Sequence, residues 1–123
     1  MSVEGGSALR KDLLTVTTDS VTGDSMVLAV SGEVDLFSAP VFEEAVTAAL
    51  GRGPRLLVID LTEVGFLASV GMTILLKANR DGGRDLRVRV VAAERSAVAR
   101  ALELTGLTDI LGVVPTRADA LAR

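Results

Sequence analysis

Apolar and polar residues follow two different periods along this chain, and the changes of period predict its elements. From Leu13 to Thr18 the β-branched run LLTVTT predicts a strand, and a polar turn from Asp19 to Ser25 leads into a second strand, MVLAVSGEV. These two strands predict a hairpin. The run from Leu56 to Leu61, LLVIDL, is almost wholly apolar, which is typical of a strand buried on both faces of a parallel sheet.

Three longer segments show the spacing of helices. They are predicted to begin at the capping residue Ser38, at Ser69 and at the capping residue Ser96, and to end at Gly51, Arg80 and Gly106. A strand from Leu86 to Ala93, a short strand at Val113 and Val114, and a helical turn from Ala118 to Ala122 complete the chain.

This order of elements requires right-handed crossovers between strands. It predicts an α/β fold with a single open mixed sheet, mainly parallel, with an antiparallel first strand and βα repeats. Residues 1–12 are expected to form a flexible N-terminal tail, and residues 13–123 one domain. The residues expected to be mostly buried are Leu57, Ile59, Phe66, Leu75, Val88, Val90 and Leu102.

Composition fits one core and excludes several kinds of chemistry. The 123 residues are 49% hydrophobic and include no Cys, His, Trp or Tyr. Thiolate and imidazole metal sites, cysteine nucleophiles and Ser/His/Asp relays are therefore excluded. We expect no metal, no cofactor and no enzymatic activity.

Charge and hydropathy limit the partners and the location. The net charge is −3 and Phe is the only aromatic residue type, so direct binding of nucleic acid is not expected. Residues 1–61 contain 4 Lys and Arg against 9 Asp and Glu, whereas residues 62–123 contain 9 against 7. The chain lacks an apolar run of membrane-spanning length and a secretory leader, so we expect no membrane association and a cytoplasmic location.

Two carboxylates offer an enzymatic alternative. Asp35 and Asp60 lie at or near the ends of predicted strands, the edge at which α/β folds usually bind ligands. Such a pair could serve acid/base or Mg²⁺ chemistry in a small nucleotide-binding or phosphotransfer enzyme. An Asp at a strand end also commonly stabilises a turn, and the Gly-rich sites follow helices, which does not produce a phosphate-binding loop.

Three blocks of the sequence together resemble a known family. They are VSGEVDLFSAP at Val30–Pro40, IDLTEVGFLASVGMTILL at Ile59–Leu76, and ALELTGLTDILGVVPTRADAL at Ala101–Leu121. In this order and spacing they resemble the STAS domain family of anti-sigma factor antagonists. The resemblance extends over nearly the whole chain from about residue 13.

The resemblance implies a binding module without catalysis. In its unphosphorylated form such a module binds an anti-sigma factor of the serine kinase type and releases the sigma factor, and phosphorylation of one serine ends the binding. Ser69 matches the phosphoacceptor and Gly71 the following glycine, whereas Ala68 replaces the family's Asp and Val70 its second hydroxyl residue. The implied partner-binding residues are Asp35, Ser38, Leu67, Ala68, Ser69, Val70 and Gly71.

Physical chemistry adds expectations for this loop. Ser69 just before a helix is expected to cap it, and the positive end of the helix would tolerate a phosphate there. Phe66 is expected to face the core, while Leu67, if it is exposed, is a candidate anchor for a partner. An alternative function is a STAS scaffold that binds constitutively without phosphorylation, and a weak homodimer is left open.

Overall fold

The chain folds around the hairpin expected at its start. The computed structural model describes residues 14–122, so the tail predicted for residues 1–12 lies outside the described residues. Strand β1 (Leu14–Thr22) pairs antiparallel with β2 (Ser25–Val34). The predicted turn is shorter than expected, because β1 continues through a register shift between Thr18 and Ser20, and Gly23 turns the chain with a φ of 56°.

The remaining elements follow in the predicted order. They are α1 (Ala39–Gly51), β3 (Leu56–Leu67), α2 (Ser69–Gly82), β4 (Arg87–Val91), α3 (Ala97–Leu104) and α4 (Arg117–Leu121). The sheet order is β1-β2-β3-β4, and β2, β3 and β4 are mutually parallel. The single open mixed sheet with an antiparallel first strand is therefore confirmed. The strand predicted at Val113 and Val114 is reduced to one parallel bridge between Val114 and Val91.

Both faces of β3 are buried, as its apolar sequence predicts. Leu57 and Ile59 face a core that α1, α2 and α3 cover. Val58 faces the opposite side, where it packs with Val27, Val91 and Ala120 of α4. Of the residues expected in the core, six are buried: Leu57, Ile59, Leu75, Val88, Val90 and Leu102.

An ion-pair network attaches α4 to the second face of the sheet. Nε of Arg117 lies 2.5 Å from Oδ2 of Asp60 in β3, and Nη2 of Arg117 lies 2.9 Å from Oδ2 of Asp19 in β1. Asp60 is only 7% exposed, and the guanidinium of Arg117 compensates its charge inside the protein. None of the helices within residues 14–122 has the length and apolarity needed to cross a membrane.

Candidate functional site

Two loops meet at the carboxyl ends of β2 and β3. Val34 and Leu67, the last residues of these strands, are register partners. The amide of Ala68 donates a 2.8 Å hydrogen bond to the carbonyl of Val34. Because β2 and β3 are parallel, the sheet places the connection after β2, residues 35–38, next to the start of α2.

The carboxylate of Asp35 organises the first loop. Its Oδ1 accepts hydrogen bonds of 2.9 Å from the amides of Phe37 and Ser38. The amide of Ser38 is the main cause of a lowered pKa of the Asp35 carboxyl; burial opposes this effect, while the Ser38 hydroxyl and the Phe37 amide add to it. Asp35 therefore stays ionised and holds a tight turn.

Ser38 occupies the N-cap position of α1, but its hydroxyl does not cap the helix. The Oγ donates a 2.7 Å hydrogen bond to the carbonyl of Glu33 and accepts a 2.9 Å bond from the amide of Asp35. The expected capping role is wrong in this detail, because the hydroxyl is used to close the loop on itself. Ser38 is only 5% exposed, so any role in partner binding would be to shape the loop.

Ser69 begins α2 as its first residue, and this overturns its predicted role as a cap. Ala68 is the N-cap, in an extended conformation with φ −77° and ψ 166°, and it supplies no side-chain hydrogen bond. The Ser69 side chain is exposed, and its hydroxyl has no hydrogen-bond partner within residues 14–122. An accessible hydroxyl therefore lies at the positive end of a 14-residue helix.

The predicted burial of Phe66 and exposure of Leu67 are reversed. Leu67 is 5% exposed, so it is not available as an anchor, and Phe66 is 50% exposed. The strand predicted for Leu56–Leu61 continues further than expected, because β3 extends to Leu67. Two register shifts against β2 each insert an extra residue into β3, so Leu61, Val64 and Leu67 all face the core at intervals of three.

The rest of the predicted surface is packed rather than exposed. Val70 is half-buried against the core and Ala68 is also half-buried. Gly71 is buried, and a Cβ on it would lie 2.5 Å from Cδ1 of Leu67 and 2.8 Å from Cγ1 of Val34. The glycine of this motif is thus explained by the close approach of α2 to the ends of β2 and β3.

Sequence analysis missed the largest apolar exposure at this edge. Leu36 and Phe37, between Asp35 and Ser38, are 78% and 73% exposed, and Val41 in the first turn of α1 is 44% exposed. The available signal was two large apolar residues in the short connection between a predicted strand and the helix predicted to begin at Ser38.

Asp35 and Asp60 do not share a site. Asp60 lies within β3, opposite Ala29, whereas Asp35 follows Val34, whose partner is Leu67. Leu67 lies seven residues after Asp60 along the extended strand, which corresponds to roughly 20 Å. The expectation that β3 ends at Asp60 is wrong, since the strand continues to Leu67.

Asp60 is fully engaged where it lies. Burial raises its pKa, but hydrogen bonds from Thr62 and Arg117 outweigh this effect and hold the pKa of Asp60 below its ordinary value. Within residues 14–122 there is also no group of three or more His, Cys, Asp or Glu residues able to hold a metal ion.

The fold and the site define a small α/β binding module with a serine exposed at a helix start. The family model of the STAS domain matches residues 13–120. The chain therefore belongs to the STAS domain family.

Proteins of similar sequence are named as anti-sigma factor antagonists. The chain is 38% identical over 110 residues to the anti-sigma-F factor antagonist RsfB of Mycobacterium tuberculosis, which covers 89% of this chain and 88% of that protein. It is 30% identical over 90 residues to the anti-sigma-B factor antagonist of Listeria monocytogenes, covering 73% and 79%.

Solved structures agree with the fold. The crystal structure of an anti-sigma factor antagonist from Mycobacterium paratuberculosis has a TM-score of 0.83 and 37% identity, covering 90% of this chain and 93% of that one. Unphosphorylated SpoIIAA has a TM-score of 0.70 at 17% identity, covering 89% and 95%, and so supports the architecture alone.

Proposed function

We propose that this protein is an anti-sigma factor antagonist controlled by phosphorylation of Ser69. The observation that carries the proposal is the exposed Ser69 hydroxyl at the start of α2, next to the ordered Asp35–Ser38 loop. The names of the relatives give the partner as an anti-sigma factor. The finer proposal is that this partner is a serine kinase that uses ATP.

The chemical step is phosphoryl transfer to the hydroxyl. Oγ of Ser69 would attack the γ-phosphorus of ATP, forming an Oγ–P bond as the bond to the β-phosphate oxygen breaks, with ADP leaving and the hydroxyl proton passing to a base. Ala68 offers no carboxylate beside Ser69. The base would therefore belong to the kinase.

The geometry explains how a phosphate could end binding without unfolding the protein. A phosphate adds about −1.5 to −2 charges, and the amides of the first turn of α2 stabilise negative charge there. The same charge lies at the sheet edge from which Leu36 and Phe37 extend, since Ala68 is hydrogen-bonded to Val34. A partner that covers this edge would have to desolvate the phosphate, which weakens the complex.

Three variants test the switch. Purified wild type, Ser69→Ala, Ser69→Glu and the control Thr73→Ala, which alters another exposed hydroxyl one turn further along α2, are incubated with the partner anti-sigma factor and ATP. We expect one phosphate on wild type and Thr73→Ala and none on Ser69→Ala. Ser69→Ala should stay bound and Ser69→Glu should bind more weakly.

Other outcomes separate the alternatives. Phosphate on Thr62 or Thr73 would mean that the acceptor is another residue. Tight binding without any phosphate would favour the constitutive scaffold, and the absence of binding to any anti-sigma factor would overturn the antagonist function.

We also propose that the protein acts in the cytoplasm without catalytic activity of its own. The separation of Asp35 from Asp60 supports this, because the two carboxylates cannot act on one substrate. An ATP and GTP turnover assay on the isolated protein should give no activity above background. The weak homodimer stays a prediction, which sedimentation equilibrium would test.

A further inference from the structure

The connection between β2 and α1 presents two large apolar side chains to solvent. Leu36 is 78% exposed and Phe37 is 73% exposed, and they are consecutive in the sequence. Single exposed apolar residues are common on protein surfaces, but a contiguous apolar patch indicates an interaction site. Neither side chain is among the buried residues of the hydrophobic core.

This loop is held in one conformation by its own hydrogen bonds. Oδ1 of Asp35 accepts from two successive amides, and the hydroxyl of Ser38 links the carbonyl of Glu33 to the amide of Asp35. A loop that is already ordered loses little conformational entropy when it binds. The loop is therefore preorganised and holds the two apolar side chains at the surface.

The loop adjoins the phosphorylation site. Leu36 and Phe37 follow Val34, whose carbonyl accepts the hydrogen bond from Ala68, the residue before Ser69. Val41, 44% exposed, extends the apolar surface into the first turn of α1. We define the anchor patch as Leu36, Phe37 and Val41.

Acidic residues surround the anchor patch. Glu44 is exposed one turn after Val41, on the same side of α1, and Glu43 lies beside it, 3.7 Å from Nζ of Lys77. Glu33 is also exposed, at the end of β2.

We propose that the anchor patch is the main apolar contact with the anti-sigma factor, and that it selects a partner with an apolar pocket bordered by Lys and Arg. This inference rests on the proposed function and specifies the partner's surface. Large apolar side chains at the centre of an interface contribute most of the affinity, while charges at its border mainly raise the association rate.

Leu36→Ala and Leu104→Ala form a matched pair for the apolar contact. Leu104, at the end of α3, is 80% exposed, so the two variants remove the same atoms from equally exposed positions. Affinity is measured by calorimetry against the anti-sigma factor that binds wild type most tightly in a purified panel. We expect Leu36→Ala and Phe37→Ala to weaken binding roughly 10- to 100-fold and Leu104→Ala to leave it unchanged.

Glu44→Lys and Glu103→Lys test the charged border. Both exposed positions change the net charge equally, but only Glu44 adjoins the anchor patch. We expect Glu44→Lys to lower the association rate several-fold at low salt and to reduce its dependence on salt, with little effect from Glu103→Lys.

The outcomes distinguish a failure of this inference from a failure of the proposed antagonist function. If wild type binds no anti-sigma factor, the proposed function fails. If wild type binds but Leu36→Ala and Phe37→Ala bind equally well, the anchor patch is wrong while the antagonist function stands. If Glu44→Lys and Glu103→Lys slow association equally, the partner does not recognise the local acidic border.

Discussion

Substituting Gly71 by alanine tests why this motif contains a glycine. The added Cβ would lie 2.5 Å from Cδ1 of Leu67 and 2.8 Å from Cγ1 of Val34, distances that side-chain carbons do not normally reach. Both neighbours are at most 5% exposed, so neither can move into solvent. The substitution therefore forces repacking where α2 meets the ends of β2 and β3.

The expected magnitude combines two opposing effects. Overpacking a close-packed core typically costs about 1–3 kcal/mol. Replacing glycine by alanine inside a helix returns about 0.5–1 kcal/mol. We expect Gly71→Ala to be less stable than wild type by about 1–2 kcal/mol, with a Tm lower by several degrees.

Chemical denaturation monitored by circular dichroism measures this loss, since the chain has no Trp or Tyr. Gly51→Ala is the control, because an added Cβ there meets no atom within 4 Å at the end of α1. It should be neutral or slightly stabilising.

A double-mutant cycle identifies the source of the cost. In a Leu67→Ala background the atom nearest to the new Cβ is absent, so Gly71→Ala should cost less than in wild type. A stable Gly71→Ala protein would refute the packing explanation and leave partner recognition as the reason for the glycine.

Four further perturbations probe the fold and the loop. Leu75→Ala, at a fully buried position, should destabilise by roughly 2–5 kcal/mol in a denaturant titration. Arg117→Ala leaves Asp60 without its cation and should cost about 1–3 kcal/mol, less than a fully buried pair, because the Arg117 side chain is 36% exposed. Since the pKa of Asp60 is lowered from 3.8, its charged form stabilises the folded state above that pH; the stability advantage of wild type over Asp60→Asn should therefore shrink as pH falls below about 4. Asp35→Ala should weaken partner binding more than it weakens folding. Asp35→Asn keeps an acceptor oxygen and should retain more affinity than Asp35→Ala. Equal losses of affinity in the two variants would mean that binding requires the charge of Asp35.

Local sequence determined the elements and their order. The β-branched and apolar runs predict β1 to β4, and Gly51, Gly82 and Gly83 mark helix ends close to where α1 and α2 end. Ser96 caps α3 as predicted, with its Oγ accepting from the amide of Ala99. These signals could be read because each depends on the residue itself or on neighbours within one turn.

Tertiary structure decided which residues of the site face the partner. Phe66 is exposed and Leu67 is buried, the reverse of the prediction, because of register shifts between β2 and β3. These shifts depend on pairing with a strand that is distant in the sequence. Asp60 is satisfied by Arg117, 57 residues away, so neither residue's local sequence indicates the pair. The sequence shows two apolar residues in the connection before α1, but their exposure follows from how Asp35 and Ser38 close the loop. Whether such a side chain is buried depends on what the whole fold packs against it.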